Sequence, residues 1–298
     1  MKNIIIDCDP GADDALAIML AVHCDELNIL GLTTVSGNAH KNTCSKNARD
    51  ILNFCNAKNI NVYDGEDTPL IRHLDFTDEY CGTNGICDYT FETQNQPTPD
   101  IDAIQFIYNC ICEYEHLYII SIAPMTNIAK LLQLHPDIPK ERITVITMAG
   151  YFKVNHIKKT RSEWNVLVDP EAYKLVCDSN IKMYSLGLDV TALLTNDIVF
   201  HILENTNSKY TAFLKHCSNF YVSKNLTPLS LLVDALPIAY IIDNNVASFK
   251  TGEIVISINK VIDSETIKFN EHDNSNFHVA YDIDCLKYRN ILESRLFR

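Results

Sequence analysis

The chain has no run approaching the roughly 20 apolar residues that cross a bilayer as a helix. It is also short of positive charge, with 25 lysines and arginines against 38 aspartates and glutamates and a formal charge of -13. The first lack excludes a membrane-spanning helix. The second excludes a general nucleic-acid or anionic-membrane surface, since both are built from clustered lysine and arginine. Small molecules and metal ions are the partners left. Internal repeats, low-complexity tracts and linkers are missing too, so residues 1–298 are expected to form a single domain. Met1-Lys2-Asn3 leads straight into a strand-like segment with no signal-peptide h-region, which gives a cytoplasmic expectation. No CxxC pair occurs among the 11 cysteines. Neither Cys81 with Cys87 nor Cys110 with Cys112 has metal-site spacing, so the cysteines read as reduced thiols packed like small hydrophobes.

Short apolar runs suited to buried parallel strands lie at 4–6, 29–35, 60–63, 117–122, 143–148 and 181–186. Amphipathic helical patterns fill the gaps at 14–24, 40–55, 102–114, 125–134 and 170–177. Alternation of this kind predicts an α/β fold, an open, mostly parallel, Rossmann-like sheet with helices on both faces. Beyond residue 190 the pattern turns mainly helical, with a late strand or hairpin over 252–261. Residues 95–100 and 270–276 are polar and read as surface loops. Ligands of such a sheet bind outside the carboxyl ends of its strands. Four motifs fall there: residues 7–14, Ser36-Gly37-Asn38, residues 123–127 and Ala149-Gly150.

The first motif is the most informative. Asp7-Cys8-Asp9-Pro10-Gly11-Ala12-Asp13-Asp14 sets four carboxylates within eight residues. Asp7 and Asp9 point to one side of an extended strand, and Pro10-Gly11 then turns the chain into a helix beginning near Asp13. Like charges this close raise one another's pKa unless a cation joins them. An all-oxygen cluster is what a hard divalent ion such as Ca2+ or Mg2+ requires. Single members also have a plainer reading, with Asp13 as a helix cap and Asp14 favoured by the helix N-terminus.

Three later positions carry paired readings. In extended backbone, Glu163-Trp164-Asn165 would aim Glu163 and Asn165 together toward sugar hydroxyls with Trp164 packed behind; a surface loop with one buried tryptophan is the alternative. Asp234 stands alone in the apolar stretch 231–237, where an unpaired carboxylate is costly. It either caps the next helix or joins the acidic cluster. Asn38 either meets a ligand or occupies a left-handed turn. Asp169-Pro170, by contrast, reads simply as a helix start.

Taken in order, these motifs resemble the inosine-uridine-preferring nucleoside hydrolases, whose hallmark is an Asp-x-Asp-Pro-Gly-x-Asp-Asp block. The likeness continues through Val35-Ser36-Gly37-Asn38, Pro124-Met125-Thr126-Asn127, Met148-Ala149-Gly150, Glu163-Trp164-Asn165 with Asp169-Pro170-Glu171-Ala172, Asp234, and on to 279–296. The resemblance implies Ca2+-dependent hydrolysis of the N-glycosidic bond of a ribonucleoside. By position it makes Asp9 the general base, also in contact with the ion. Asp7, Asp14, Asp234 and the backbone carbonyl of Ile122 would complete the metal's surroundings. Asp13, Asn38, Glu163 and Asn165 would hold ribose hydroxyls, with Asn155 at the 5′ side. A homodimer or homotetramer is implied as well. The residue types suit the chemistry on their own terms, because carboxylates favour an oxocarbenium-like sugar and a positioned base supplies a factor of about 10² to 10⁴.

The base half departs from the family pattern. Val233 stands where familiar members place a histidine before the late aspartate, and Cys81-Gly82 where another histidine often precedes a glycine. Valine cannot protonate a departing base. Three explanations stay open: another acid, with Tyr221, His156 and His216 as candidates; departure of a base stacked on Tyr221, Phe220 or Tyr80; or a nucleoside whose base needs little help. Cys81, Tyr221 and Val233 are the expected base pocket. A ribose- or nucleoside-binding protein with little turnover is the main rival reading. Phosphatases of the haloacid-dehalogenase type also begin with Asp-x-Asp at a strand end. The Asp13-Asp14 doublet and the Pro-Gly turn suit them poorly, and no Ser/Thr then Lys series follows at later strand ends.

Overall fold

A computed structural model describes residues 1–74, 81–92, 97–155, 162–259 and 264–298. Tyr80 and His156 lie outside the described residues. The six apolar runs form the parallel strands β1 (Lys2–Cys8), β2 (Leu27–Thr34), β3 (Val62–Asp64), β4 (Leu117–Ser121), β5 (Ile143–Thr147) and β6 (Lys182–Ser185). Three more strands, β7 (Ala247–Asn259), β8 (Ser264–Glu271) and β9 (Phe277–Ile283), extend the sheet in the order β3-β2-β1-β4-β5-β6-β9-β7-β8. β9 runs parallel to β6, and β7 is antiparallel to both β9 and β8. The helices are α1 (Ala12–Val22), α2 (Lys41–Phe54), α3 (Ala103–Glu113), α4 (Thr126–Leu134), α5 (Trp164–Val168), α6 (Pro170–Asp178), α7 (Leu188–Thr191), α8 (Asp197–Asn205), α9 (Lys209–Ser223), α10 (Ala235–Ile242) and α11 (Cys285–Arg295).

Side-chain alternation sorts the strands onto two apolar cores. Ile4, Ile6, Ile120 and Ile146 face α1, α2 and α8 to α11, while Ile5, Ile119 and Val145 face α3, α4 and α6. The expected open, mostly parallel sheet with helices on both faces is therefore what the chain forms. β9 is a strand the sequence pattern did not announce. Both Val279 and Ala280 are buried, which breaks the polar-apolar alternation that marks a half-exposed strand. The polar tract at 270–276 is a loop only from 272 onward, because Asn270 and Glu271 still pair with Glu253 and Gly252 on an edge strand, where polar side chains face solvent at little cost.

Strand order reverses at β1, which is flanked by β2 and β4. In a doubly wound sheet that reversal opens a crevice at the carboxyl ends of the strands. Register there sets Asp7 between Thr33 of β2 and Ser121 of β4, so the acidic block projects from the crevice's centre.

Candidate active site

Neighbouring strands orient Asp7. Thr33 Oγ1 donates to its Oδ1 at 2.7 Å and Asn127 Nδ2 does so at 2.8 Å, while Oδ2 is buried with no partner. Burial pushes the carboxyl up to about 6, against the two hydrogen bonds that favour its charge. Asp9 is held by the Asn38 backbone N–H, which donates to Oδ2 at 2.6 Å; Oδ1 is buried and accepts nothing from the described residues. Burial first and Asp14 second raise the Asp9 carboxyl well above the usual range. Gly37 permits this approach, since a Cβ there would lie 2.0 Å from Asp9 Oδ2.

Helix α1 begins at Ala12 with Gly11 as its cap, so Asp13 is not the cap. Asp14 does brace the turn: Oδ1 accepts from the Asp9 N–H at 3.1 Å, and Oδ2 accepts from the Gly11 N–H at 3.0 Å and from Asn38 Nδ2 at 3.2 Å. Asn38 is not left-handed; its backbone and side chain both support the acidic cluster. Asp234 occupies the cap position of α10 yet accepts no cap bond. It shares a hydrogen bond with Asp13 instead, and carboxylate oxygens of Asp13, Asp14 and Asp234 lie within 4.8 Å of one another. Burial, then Asp13, Asp14 and Asp9, raise its carboxyl. Two orphaned buried oxygens beside three crowded carboxylates form a donor set that fits a hard divalent cation. Asp7, Asp9, Asp14 and Asp234 are the side chains that would hold one, with Asp13 against them.

Glu163 and Asn165 are not aimed by extended backbone as expected. Glu163 is the N-cap of α5, and its carboxylate accepts from the N–H groups of Asn165 (2.7 Å), Val166 (3.1 Å) and Gly150 (3.0 Å). Asn165 Nδ2 donates to the carbonyls of Ile122 at 3.2 Å and Met148 at 2.9 Å, tying α5 to the ends of β4 and β5. Trp164 does not pack behind them. It lines the cavity, and its indole N–H is buried without a partner.

A cavity of about 410 Å3 adjoins this cluster; Asp7, Asp9 and Asp14 are buried beneath it and do not line it. Asp13, Asn38, Ile122, Glu163, Asn165 and Asp234 line it. Cys81, Leu188, Thr191, Thr227, Leu229, Ser230 and Val233 line it too, so of the expected base pocket Cys81 and Val233 are on the wall. Tyr221 is buried behind it, where Asp13, Cys81, Cys87 and Cys217 add to burial in raising its phenol. His216 Nε2 meets the Cys87 carbonyl at 2.9 Å, and Phe220 packs on the core. Among the described residues no histidine lines the cavity. Asn155 is not on the wall either; its amide donates to the Asp189 carbonyl.

Asp189 is a residue the sequence reading passed over. Fully buried at the start of α7, its carboxylate accepts from Phe152 at 2.7 Å and Val154 at 2.9 Å, anchoring the loop after β5 beside the Leu188 and Thr191 wall. An isolated acid in the apolar run 186–190 was the available signal. Asp169 is structural as expected, capping α6 through Ala172 and holding Thr126 and Leu70. All 11 cysteines lie outside disulfides, and no helix among the described residues is long and apolar enough to cross a membrane.

Comparison with known proteins matches this arrangement. Residues 4–290 fit the family described as inosine-uridine preferring nucleoside hydrolase. The pyrimidine-specific ribonucleoside hydrolase RihA of Escherichia coli O81 (strain ED1a) is 33% identical over 189 residues, 63% of this chain and 60% of RihA. The chain therefore aligns with about three fifths of that relative. RihB of Escherichia coli O1:K1 / APEC, also described as pyrimidine-specific, is 28% identical over 266 residues, covering 86% of this chain and 83% of RihB. Among solved structures, the plant nucleoside hydrolase PpNRh1 superposes with a TM-score of 0.86 at 25% identity over 99% of both chains. A purine-preferring ribonucleoside hydrolase from Gardnerella vaginalis shares the fold, with a TM-score of 0.87 at 24% identity over 99% of this chain and 98% of that one. With the family match running nearly end to end and the acidic block seated where the strand order reverses, the chain belongs to the inosine-uridine preferring nucleoside hydrolase family.

Proposed function

We propose that the protein hydrolyses the N-glycosidic bond of a ribonucleoside, giving ribose and the free base, with Asp9 as general base. The observation that carries this reading is the buried, unpartnered Oδ1 of Asp9, held by the cavity-lining Asn38 and close enough to Asp14 and Asp13 to feel their charge. A hard divalent ion, Ca2+ by the family resemblance, would be held by Asp7, Asp9, Asp14 and Asp234 and would supply positive charge for a water and the ribose diol. Asp9 takes a proton from the attacking water, the oxygen bonds to the anomeric carbon, and the glycosidic pair leaves with the base. Asp13, Asn38, Glu163 and Asn165 hold ribose hydroxyls. Glu163 is pre-oriented for this by the three backbone N–H groups that fix its carboxylate. Ring cation character is favoured by the surrounding carboxylates.

The base half offers hydroxyls at Thr191, Thr227 and Ser230, the Cys81 thiol, and apolar surface at Leu188, Leu229 and Val233. Such a wall reads a base by hydrogen bonds and packing and provides no imidazole acid. The names of RihA and RihB make pyrimidine ribonucleosides the first substrates to try. We place the protein in the cytoplasm as a homodimer or homotetramer. Reducing-sugar release across purine, pyrimidine and modified ribonucleosides, with and without a chelator, tests the reading. Ribose that appears and is lost with chelator supports it. Ribose binding without release from any nucleoside would replace hydrolysis by a binding role, and inorganic phosphate from a nucleotide would replace it by phosphoryl transfer.

A further inference from the structure

The sheet has a second cavity, about 330 Å3, at the amino ends of its strands, opposite the acidic block. Register builds it. Tyr118 of β4, Thr144 of β5 and Lys182 of β6 are aligned partners, so their side chains share one face; Tyr184 follows two residues after Lys182, and Lys2 two residues before Ile4, the partner of Tyr118. The end of α10 covers that face with Tyr240. The rings lie close: Tyr184 and Tyr240 have centroids 5.4 Å apart, and His116 and Tyr118 have centroids 4.8 Å apart. Two ammonium groups flank them. Lys2 Nζ is 6.0 Å from the Tyr118 centroid and is held by the Ile241 carbonyl, and Lys182 Nζ is 5.5 Å from the Tyr184 centroid.

What marks these two lysines is that both line one aromatic cavity without an anionic partner among the described residues. Lys46, Lys174 and Lys250 each pair with a carboxylate within 3 Å, but among the described residues neither Lys2 nor Lys182 has an ion pair. In a chain of charge -13, two unpaired cations at one aromatic cavity form a local site for negative charge. The field of Lys182 reaches the neighbouring imidazoles, adding to burial in lowering the pKa of both His116 and His278. His116 Nε2 is matched to Thr144 Oγ1 at 3.0 Å; Glu141 also lines the cavity, and its carboxylate orients an anionic ligand away from itself toward the lysines. The volume lies at the lower end of ligand pockets, which run from about 300 to 1,000 Å3.

We propose that this cavity binds a small planar aromatic anion, its ring against the tyrosines and its carboxylate or phosphate at Lys2 and Lys182. Both an aromatic carboxylate and a nucleoside 5′-monophosphate carry that chemistry. The proposal does not depend on the reaction at the other end of the sheet.

Calorimetric titration of the whole chain with 4-hydroxybenzoate, uridine 5′-monophosphate, adenosine 5′-monophosphate and inorganic phosphate tests it. Trp164, the single tryptophan, lines the active-site cavity, so its fluorescence reports binding there. Expected is saturable binding of at least one aromatic anion below about 1 mM, with Trp164 emission unchanged. Lys182→Ala should weaken it about tenfold or more, Lys182→Arg should restore most of it, and nucleoside hydrolysis should stay within twofold. Whichever arm binds tighter identifies the source. The proposal fails if no aromatic anion binds, if phosphate alone binds as well, if binding changes Trp164 emission, or if folded Lys182→Ala binds like the wild type.

Discussion

Removing divalent ions should make the folded protein pay for its buried acids, and Asp7 supplies a magnitude. Its carboxyl is fully buried and pushed from 3.8 to about 6. At pH below 3.8 the group is protonated folded and unfolded, and its burial costs nothing electrostatically. Between 3.8 and about 6 the unfolded chain releases the proton more readily, so stability falls as pH rises, and above about 6 the loss is complete. Two pKa units correspond to about 3 kcal/mol, or roughly 6 °C in Tm for a chain of this size. Asp9, Asp14 and Asp234 are shifted in the same direction. Asp7→Asn keeps an oxygen to accept from Thr33 and Asn127 and removes the charge. In chelator, the variant should match wild type near pH 4 and exceed it by about 3 kcal/mol near pH 7.5. Saturating Ca2+ should flatten the wild-type profile. Thermal and urea denaturation from pH 4 to 8, with and without chelator, measure this. A wild-type minus variant difference that does not change with pH would refute the reasoning.

Three further outcomes follow from the site. Gly37→Ala places a methyl group 2.0 Å from Asp9 Oδ2 and should lower kcat/KM by about 10² or more; activity within threefold would mean that the Asn38 backbone need not approach Asp9. Asp189→Asn turns an amide N–H toward one of the two donors, Phe152 or Val154, weakening the loop anchor by about 1–3 kcal/mol. Its signature in steady-state kinetics is a raised KM with a smaller change in kcat, and an unaltered KM would make the anchor irrelevant to substrate. Val233→His should change the order of preferred bases more than it changes affinity for ribose, and an unchanged substrate profile would remove Val233 from the base wall.

Local spacing made the acidic block legible. Asp7 and Asp9 alternate on one strand, Asp13 and Asp14 open the next helix, and Asp234 stood out as a lone acid in an apolar run. Asp189 gives the same signal, yet its partners are backbone N–H groups of a loop some 35 residues earlier, which no local pattern reveals. Trp164 and Asn165 were misread as extended because α5 has five residues, too few for a helical period. Tyr221 lies among the buried residues of α9 rather than on the wall, and Asn155 bonds to Asp189. The amino-end cavity rests on register across β4, β5 and β6, a property of paired strands rather than of any one segment.

Asp9→Asn gives the most direct test of the proposed chemistry. It keeps an acceptor for the Asn38 N–H and removes the proton acceptor. Ribose release from the best nucleoside by the Ca2+-loaded variant should fall by a factor of at least about 10² to 10⁴, with ribose binding and the circular dichroism spectrum retained. Turnover within tenfold of wild type by a folded, ribose-binding variant would contradict the assignment of Asp9 as general base.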